Sequence, residues 1–399
     1  MLASLRVGKT ACGATRRCDI STMKDIYLDN AASTPLRPEA VAALSASIEM
    51  YANPSSIHAL GQASRKAIEK ARASVAALIG ADASEIVFTS GATEANNLAL
   101  RGVLEPLLNA GEKPHVVTTA LEHASVLNTL EALASRGLET TVVPPGADGI
   151  VRAEDVLAAV RPETALVSVI AASNELGSAQ PVEEIGKGLA KLPHKPVFHV
   201  DAVQAIVSSE LTLASARADL LTISAHKIGG SKGVGALAVR KGVKLSPILT
   251  GGGHENGLRS GTENVGGILA FGAVAEALRS TRPSEIERYR ALRARLLSAL
   301  PDGVKPLLPA DAAVIPHVVA LECVGKENDW IVLLLSRVGV MIAAGSACKS
   351  GSREASEIVK ALGLNDARAK SVVRVSFGWC SDEKDADQGA GAFADTMKR

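Results

Sequence analysis

The stretch Leu220-Leu221-Thr222-Ile223-Ser224-Ala225-His226-Lys227, continued by Ile228-Gly229-Gly230-Ser231-Lys232-Gly233, carries an apolar run into a glycine-rich loop by way of a lysine. The run is short and rich in leucine and β-branched residues, which spells a buried strand. A lysine delivered from a strand end among small residues loses hydration. Its pKa falls, and the amine becomes a nucleophile able to form a Schiff base with an aldehyde.

Working outward, short apolar runs recur at Ile86 to Phe88, Val116 to Thr118, Leu166 to Ile170, Val197 to Val200 and Ala236 to Val239. Helical periodicity fills the intervals at Arg65 to Leu78, Val126 to Ala134 and Val182 to Leu189. Strand alternating with helix predicts an α/β protein, a mostly parallel sheet covered on both faces. After about Val274 the texture changes to charged helix, Ser284 to Leu300 among it, with sparser strands near Val318 and Val372. The expectation is a large domain over 36–274 and a smaller α+β domain built from 23–35 with 275–399.

A chain of 399 residues exceeds the size at which one core stops growing, in keeping with two domains. Hydrophobic content of 47% beside 21% charged residues describes a globular protein with a large core. A net charge of +1 offers no electrostatic argument for nucleic acid or an anionic membrane surface as partner. No uncharged apolar run approaches spanning length. Cys12, Cys18, Cys323, Cys348 and Cys380 form neither a CxxC pair nor a disulfide framework, so a reducing compartment is expected. Residues 1–22 carry Arg6, Lys9, Arg16 and Arg17 before the first acidic residue, Asp19. Three readings stand: an organellar presequence, giving a mitochondrial or related location, or, on a cytoplasmic protein, a disordered tail or a stretch upstream of a start at Met23.

Ligands of such sheets gather at the carboxyl ends of the strands. After Phe88 comes Thr89-Ser90-Gly91-Ala92-Thr93-Glu94, a small-residue turn opening a helix whose first amides and Thr93 hydroxyl suit a phosphate. Glu122 and His123 follow the second strand, and an imidazole there can stack on a planar ring. Asn174 follows Ile170 with an amide able to donate to an anionic oxygen. Asp201 ends the run Phe198-His199-Val200 and precedes Gln204. A carboxylate at the end of a buried strand is costly unless paired with a cation, and a protonated pyridine nitrogen is such a cation. Together with Lys227, this points to pyridoxal 5'-phosphate.

In order along the chain, these motifs resemble the cysteine desulfurases among the class-V, fold-type I pyridoxal-phosphate enzymes, of the iron-sulfur and nitrogen-fixation type. The resemblance runs from about Ile26 to Gly378. It is carried also by Asn53-Pro54-Ser55-Ser56-Ile57-His58, Gly251-Gly252-Gly253-His254-Glu255, Arg259 to Asn264, Gly345-Ser346-Ala347-Cys348 and Arg374-Val375-Ser376-Phe377-Gly378. It implies a seven-stranded sheet in the large domain and L-cysteine as substrate, converted to L-alanine. Lys227 would hold the cofactor and shuttle protons, Asp201 pair with the ring nitrogen, Gln204 reach the ring oxygen, and His123 stack on the ring. Ala92, Thr93, Ser224 and His226 would grip the phosphate, and Thr262 that of a neighbouring subunit, implying a homodimer. Asn174 also belongs to the cofactor site and, with Arg374, would bind the substrate carboxylate.

Cys348 lies among Gly345, Ser346, Ala347, Ser350 and Gly351 beside Lys349, a setting in which a thiolate is reachable and stabilised. By the resemblance it attacks the substrate sulfur, becomes a persulfide and passes sulfur to an acceptor protein for iron-sulfur clusters or other thio-cofactors. The chain departs from the family at Ser173, Lys349 and Gly230-Ser231, and it ends soon after Phe393, where housekeeping members carry a scaffold-docking extension. L-Selenocysteine as substrate, an aminotransferase reaction without Cys348, and a non-catalytic sulfur-transfer platform are the alternative readings. No metal site is expected.

Overall fold

The computed structural model describes residues 25–345 and 355–398. In chain order the strands are β1 Ile26–Tyr27, β2 Ile86–Thr89, β3 His115–Thr119, β4 Glu139–Val143, β5 Thr164–Ile170, β6 Val197–Asp201, β7 Leu220–Ser224, β8 Gly235–Val239, β9 Val304–Pro306, β10 Val318–Cys323, β11 Val340–Met341 and β12 Val372–Ser376. A seven-stranded sheet takes the order β2-β8-β7-β6-β5-β3-β4. Only β8 runs antiparallel to its neighbours, β2 and β7. The inner strands are buried along almost their whole length, which explains why they appear in the sequence as continuous apolar runs. Edge strand β4 exposes four of its five residues and has no such run.

Helices cover both faces. Helix Ala59–Leu78 buries Ser64, Ile68, Ala71, Val75 and Leu78, three or four residues apart, and the His58 side chain caps it by accepting from the Gly61 N–H. Helix Val265–Ser298 packs across it, and at Gly272 a Cβ would stand only 2.5 Å from that of Ala71. The missing side chain therefore permits the close approach of the two helices. The expected charged helix at Ser284 to Leu300 is the second half of this longer one. The expected boundary at residue 274 falls inside it.

A second sheet, β12-β10-β9, is antiparallel, and β1 pairs with β11 beside it. The segment after β1 stitches the two sheets together. Ala31 N–H donates to Ser376 Oγ at 2.8 Å, Asn30 Nδ2 to the Ser376 carbonyl at 2.9 Å, and Thr34 N–H to the His226 carbonyl at 3.1 Å. The parallel strands β3, β5, β6 and β7 all end on the same edge of the large sheet, and this segment runs past that edge.

Candidate active site

A cavity of about 430 Å³ opens where those strands end. Of the residues expected in a site, Lys227, His123, Ala92, Thr93, Asn174, Asp201, Gln204, Ser224, His226 and Arg374 all line it. Thr262 does not; it is exposed on the loop before helix Val265–Ser298. Cys348 lies outside the described residues.

Asp201 is the last residue of β6 and only 3% exposed. Its Oδ1 accepts from the Val203 N–H at 3.0 Å and its Oδ2 from Asn96 Nδ2 at 2.8 Å. Among the described residues no lysine or arginine forms an ion pair with it, so a buried carboxylate faces the cavity compensated only by neutral donors. Across the cavity Lys227 Nζ donates to the carbonyls of Ala31 at 2.7 Å and Ala32 at 2.9 Å.

His123 caps helix Ala124–Ala134, its Nδ1 accepting from the Ser125 N–H at 3.1 Å. A backbone N–H can only donate, so Nδ1 carries the lone pair and the proton of the neutral ring resides on Nε2. Ser125 Oγ lies 2.8 Å from the same Nδ1 and accepts from Asn96 Nδ2 at 2.8 Å. Asn96 thus joins the side chains of Asp201 and His123 into one buried network. Its position among Ala95, Leu98, Ala99 and Leu100 on a buried helix face was the available sequence signal, one polar residue on an apolar stripe.

At the other end, Ser90, Gly91, Ala92 and Thr93 open helix Ala92–Asn109, with Gly91 at φ 152°, a conformation that side chains disfavour. The buried Ser224 Oγ has no hydrogen-bond partner among the described residues. Burial, reinforced by the charges of Lys227 and Lys232, pushes the His226 pKa down to about 4, leaving a neutral imidazole whose Nδ1 lies 3.3 Å from Ser33 Oγ. Helix amides, an unsatisfied hydroxyl and nearby lysine charge suit an anion there. Asp201 suits a cation at the opposite end.

Arg374, on β12, is 2% exposed and half engaged. Its Nη2 pairs with Asp29 Oδ1 at 2.6 Å and its Nη1 donates to the Asn174 carbonyl at 2.8 Å. Among the described residues its Nε and the Asn174 Oδ1 have no partner. Asp29 is a residue of the site to which the sequence assigned no role, because its partner lies 345 positions away.

The class-V aminotransferase family model matches residues 26–388. The cysteine desulfurase IscS of Dictyoglomus turgidum is 38% identical over 365 residues, covering 91% of this chain and 92% of that protein. The chain belongs to the cysteine desulfurases of the class-V aminotransferase family. Cysteine desulfurase 1 of Trichormus variabilis is 40% identical over 372 residues, 92% of this chain and 91% of that one. A mitochondrial cysteine desulfurase of Arthroderma benhamiae is 39% identical, covering 91% of this chain and 73% of that protein. Among solved structures, a NifS-like protein superposes with a TM-score of 0.88 at 32% identity, over 94% of this chain and all of that one. SspA in complex with cysteine gives 0.75 at 33% identity, over 88% of this chain and 98% of that one. The desulfurase fold expected from the sequence, a seven-stranded mostly parallel sheet flanked by helices, is the one described.

Proposed function

We propose that this desulfurase removes sulfur from L-cysteine with pyridoxal 5'-phosphate held in the cavity, yielding L-alanine and a persulfide on Cys348. The observation that carries the cofactor assignment is the buried Asp201, without a lysine or arginine partner among the described residues and facing the same cavity as Lys227. Asp201 would pair with the pyridine nitrogen, Gln204 would donate to the ring oxygen, and His123 would lie over the ring. Ala92, Thr93, Ser224 and His226 would hold the phosphate of their own subunit. Thr262 would reach that of the partner in a homodimer, a role that suits its exposed loop. When bound, the cofactor withdraws electrons from the substrate α-carbon.

Arg374 Nε, unpaired among the described residues, and the Asn174 side chain supply the contacts for the substrate carboxylate. Lys227 Nζ takes and returns the α-proton. Cys348 Sγ, as thiolate, attacks the substrate sulfur; one S–S bond forms while the substrate C–S bond breaks, and the carbon gains a proton to become alanine. An acceptor protein then receives the sulfur. We infer two domains, 36–274 and 23–35 with 275–399. The organellar location is supported by the composition of residues 1–22 and by the mitochondrial relative.

The test uses purified wild type, Lys227→Ala and Cys348→Ala with L-cysteine and a thiol reductant, dithiothreitol, which reduces the persulfide and frees its outer sulfur as sulfide. Wild type should release alanine and sulfide. Lys227→Ala should lose the visible absorption of the lysine-bound cofactor, whereas Cys348→Ala should keep that absorption and lose sulfide. A fully active Cys348→Ala would overturn the sulfur-transfer step.

A further inference from the structure

The geometry points to His317 as a positioning residue that fixes the Gln204 amide with an N–H, rather than its carbonyl oxygen, free for the cavity. His317 directly precedes β10 in the second sheet and is 1% exposed. Gln204 follows β6 in the large sheet. Three hydrogen bonds connect them to the site: Ser208 Oγ to His317 Nδ1 at 2.7 Å, His317 Nε2 to Gln204 Oε1 at 3.3 Å, and Gln204 Nε2 to the Ala31 carbonyl at 2.9 Å.

The direction of each bond follows from the last. A carbonyl only accepts, so the amide nitrogen of Gln204 must face Ala31 and the amide oxygen must face His317. His317 must then donate from Nε2, which leaves Nδ1 as acceptor and makes the Ser208 hydroxyl a donor. One N–H of Gln204 is spent on Ala31 and the other remains for the cavity that Gln204 lines. The same Ala31 carbonyl accepts from Lys227 Nζ, so the frame holding Gln204 also holds the lysine. Burial, with Arg374 and Lys227 adding positive charge nearby, drives the His317 pKa down to about 3 and keeps the imidazole neutral. The ring packs against Tyr289 with centroids 5.8 Å apart, which fixes its plane.

This inference rests on the reading of Gln204 as donor to the cofactor ring oxygen. Such a donor stabilises the ring oxygenate once the proton of the cofactor–Lys227 linkage has left, so a weakened donor raises the pH at which that proton leaves. His317→Phe keeps the ring volume and removes both hydrogen bonds. His317→Gln retains a donor near the Nε2 position. In purified holoenzyme, visible absorption is followed across a pH titration, and the dissociation constant of pyridoxal 5'-phosphate is measured separately.

His317→Phe should raise the spectral midpoint by about 0.5–1 unit, the size expected when one charge-assisted hydrogen bond is partly lost, and weaken cofactor binding several-fold. His317→Gln should restore part of both. The charged and titratable groups around the linkage (Glu94, His123, Asp201, His226, Lys232 and Arg374) and around the imidazole (Tyr289, Lys227 and Arg374) are the same in every variant. If His317→Phe unfolds, Ser208→Ala carries the test, since it frees the imidazole tautomer and should shift the midpoint in the same direction. A folded variant with wild-type midpoint and affinity would overturn the inference. Gln204→Leu separates the causes: if it moves the midpoint and His317→Phe does not, only the positioning role fails; if it too has no effect, the ring-oxygen role of Gln204 fails with it.

Discussion

A carboxyl group without water and beside a negative neighbour keeps its proton, and Glu122 is so placed. It is buried next to His123; its Oε1 accepts from Thr119 Oγ1 and the Ile170 N–H, both at 2.7 Å, while its Oε2 has no partner among the described residues. Burial, and to a lesser extent the Asp201 charge, pushes its pKa up to about 8 from 4.5. The raised value means that the folded chain holds a proton the unfolded chain has released. The stability so gained is complete below pH 4.5 and is lost as pH rises through about 8. Wild type should therefore lose stability relative to Glu122→Gln by up to about 1.4 kcal/mol per pH unit inside that window. Urea melts of both proteins across the window measure the slope, and parallel curves would count against it. Of the residues that build the site, Asp201 and Lys227 were legible because an apolar run leads into each. Asn96 and His317 were not, since their partners lie 105 and 113 positions away and only the folded sheets bring them together.

The turn that opens helix Ala92–Asn109 depends on its neighbouring strand. A Cβ on Gly235, the first residue of β8, would stand 2.7 Å from the Gly91 carbonyl carbon and 2.8 Å from its Cα. Gly235→Ala must push the turn toward the cavity. We expect a loss of about 1–3 kcal/mol, as for other overpacked sites, together with faster loss of cofactor on dialysis. Calorimetry and residual visible absorption measure the two, and an unchanged dialysis rate would separate the strand from the phosphate site. Inner strands were legible at this scale because burial on both faces demands apolar runs. Edge strand β4, with Glu139, Thr140 and Thr141 in solvent, had no such signal. The start of helix Val265–Ser298 was hidden by Gly266, Gly267 and Gly272, which depress helix propensity while Gly272 serves packing against Ala71.

The cavity walls come from distant parts of the molecule: residues 31–33, the ends of β5, β6 and β7, and Arg374 of β12. A cofactor filling it stabilises all of these at once, and none of them in the unfolded chain. Free cofactor at about a hundred times its dissociation constant should add roughly 2.7 kcal/mol to the unfolding free energy. The melting temperature of apoprotein should then climb steadily with added pyridoxal 5'-phosphate, and a flat response would argue against the site. The alternation of strand and helix was enough to give the large sheet. The stitching of the segment after β1 onto β12 was not readable, because its Ala31 to Ser376 hydrogen bond closes a loop of 345 residues.

That loop has a consequence for the timing of synthesis. A ribosome delivers Lys227 and its sheet long before Arg374 and Ser376. Until Arg374 and Ser376 leave the exit tunnel, the carbonyls of Ala31 and Ala32 have no anchor on β12 and the pocket lacks one wall. A cofactor bound at Lys227 would therefore be loaded only once β12 is in place, and a message truncated shortly before Arg374 would yield that lysine in a pocket with one wall missing.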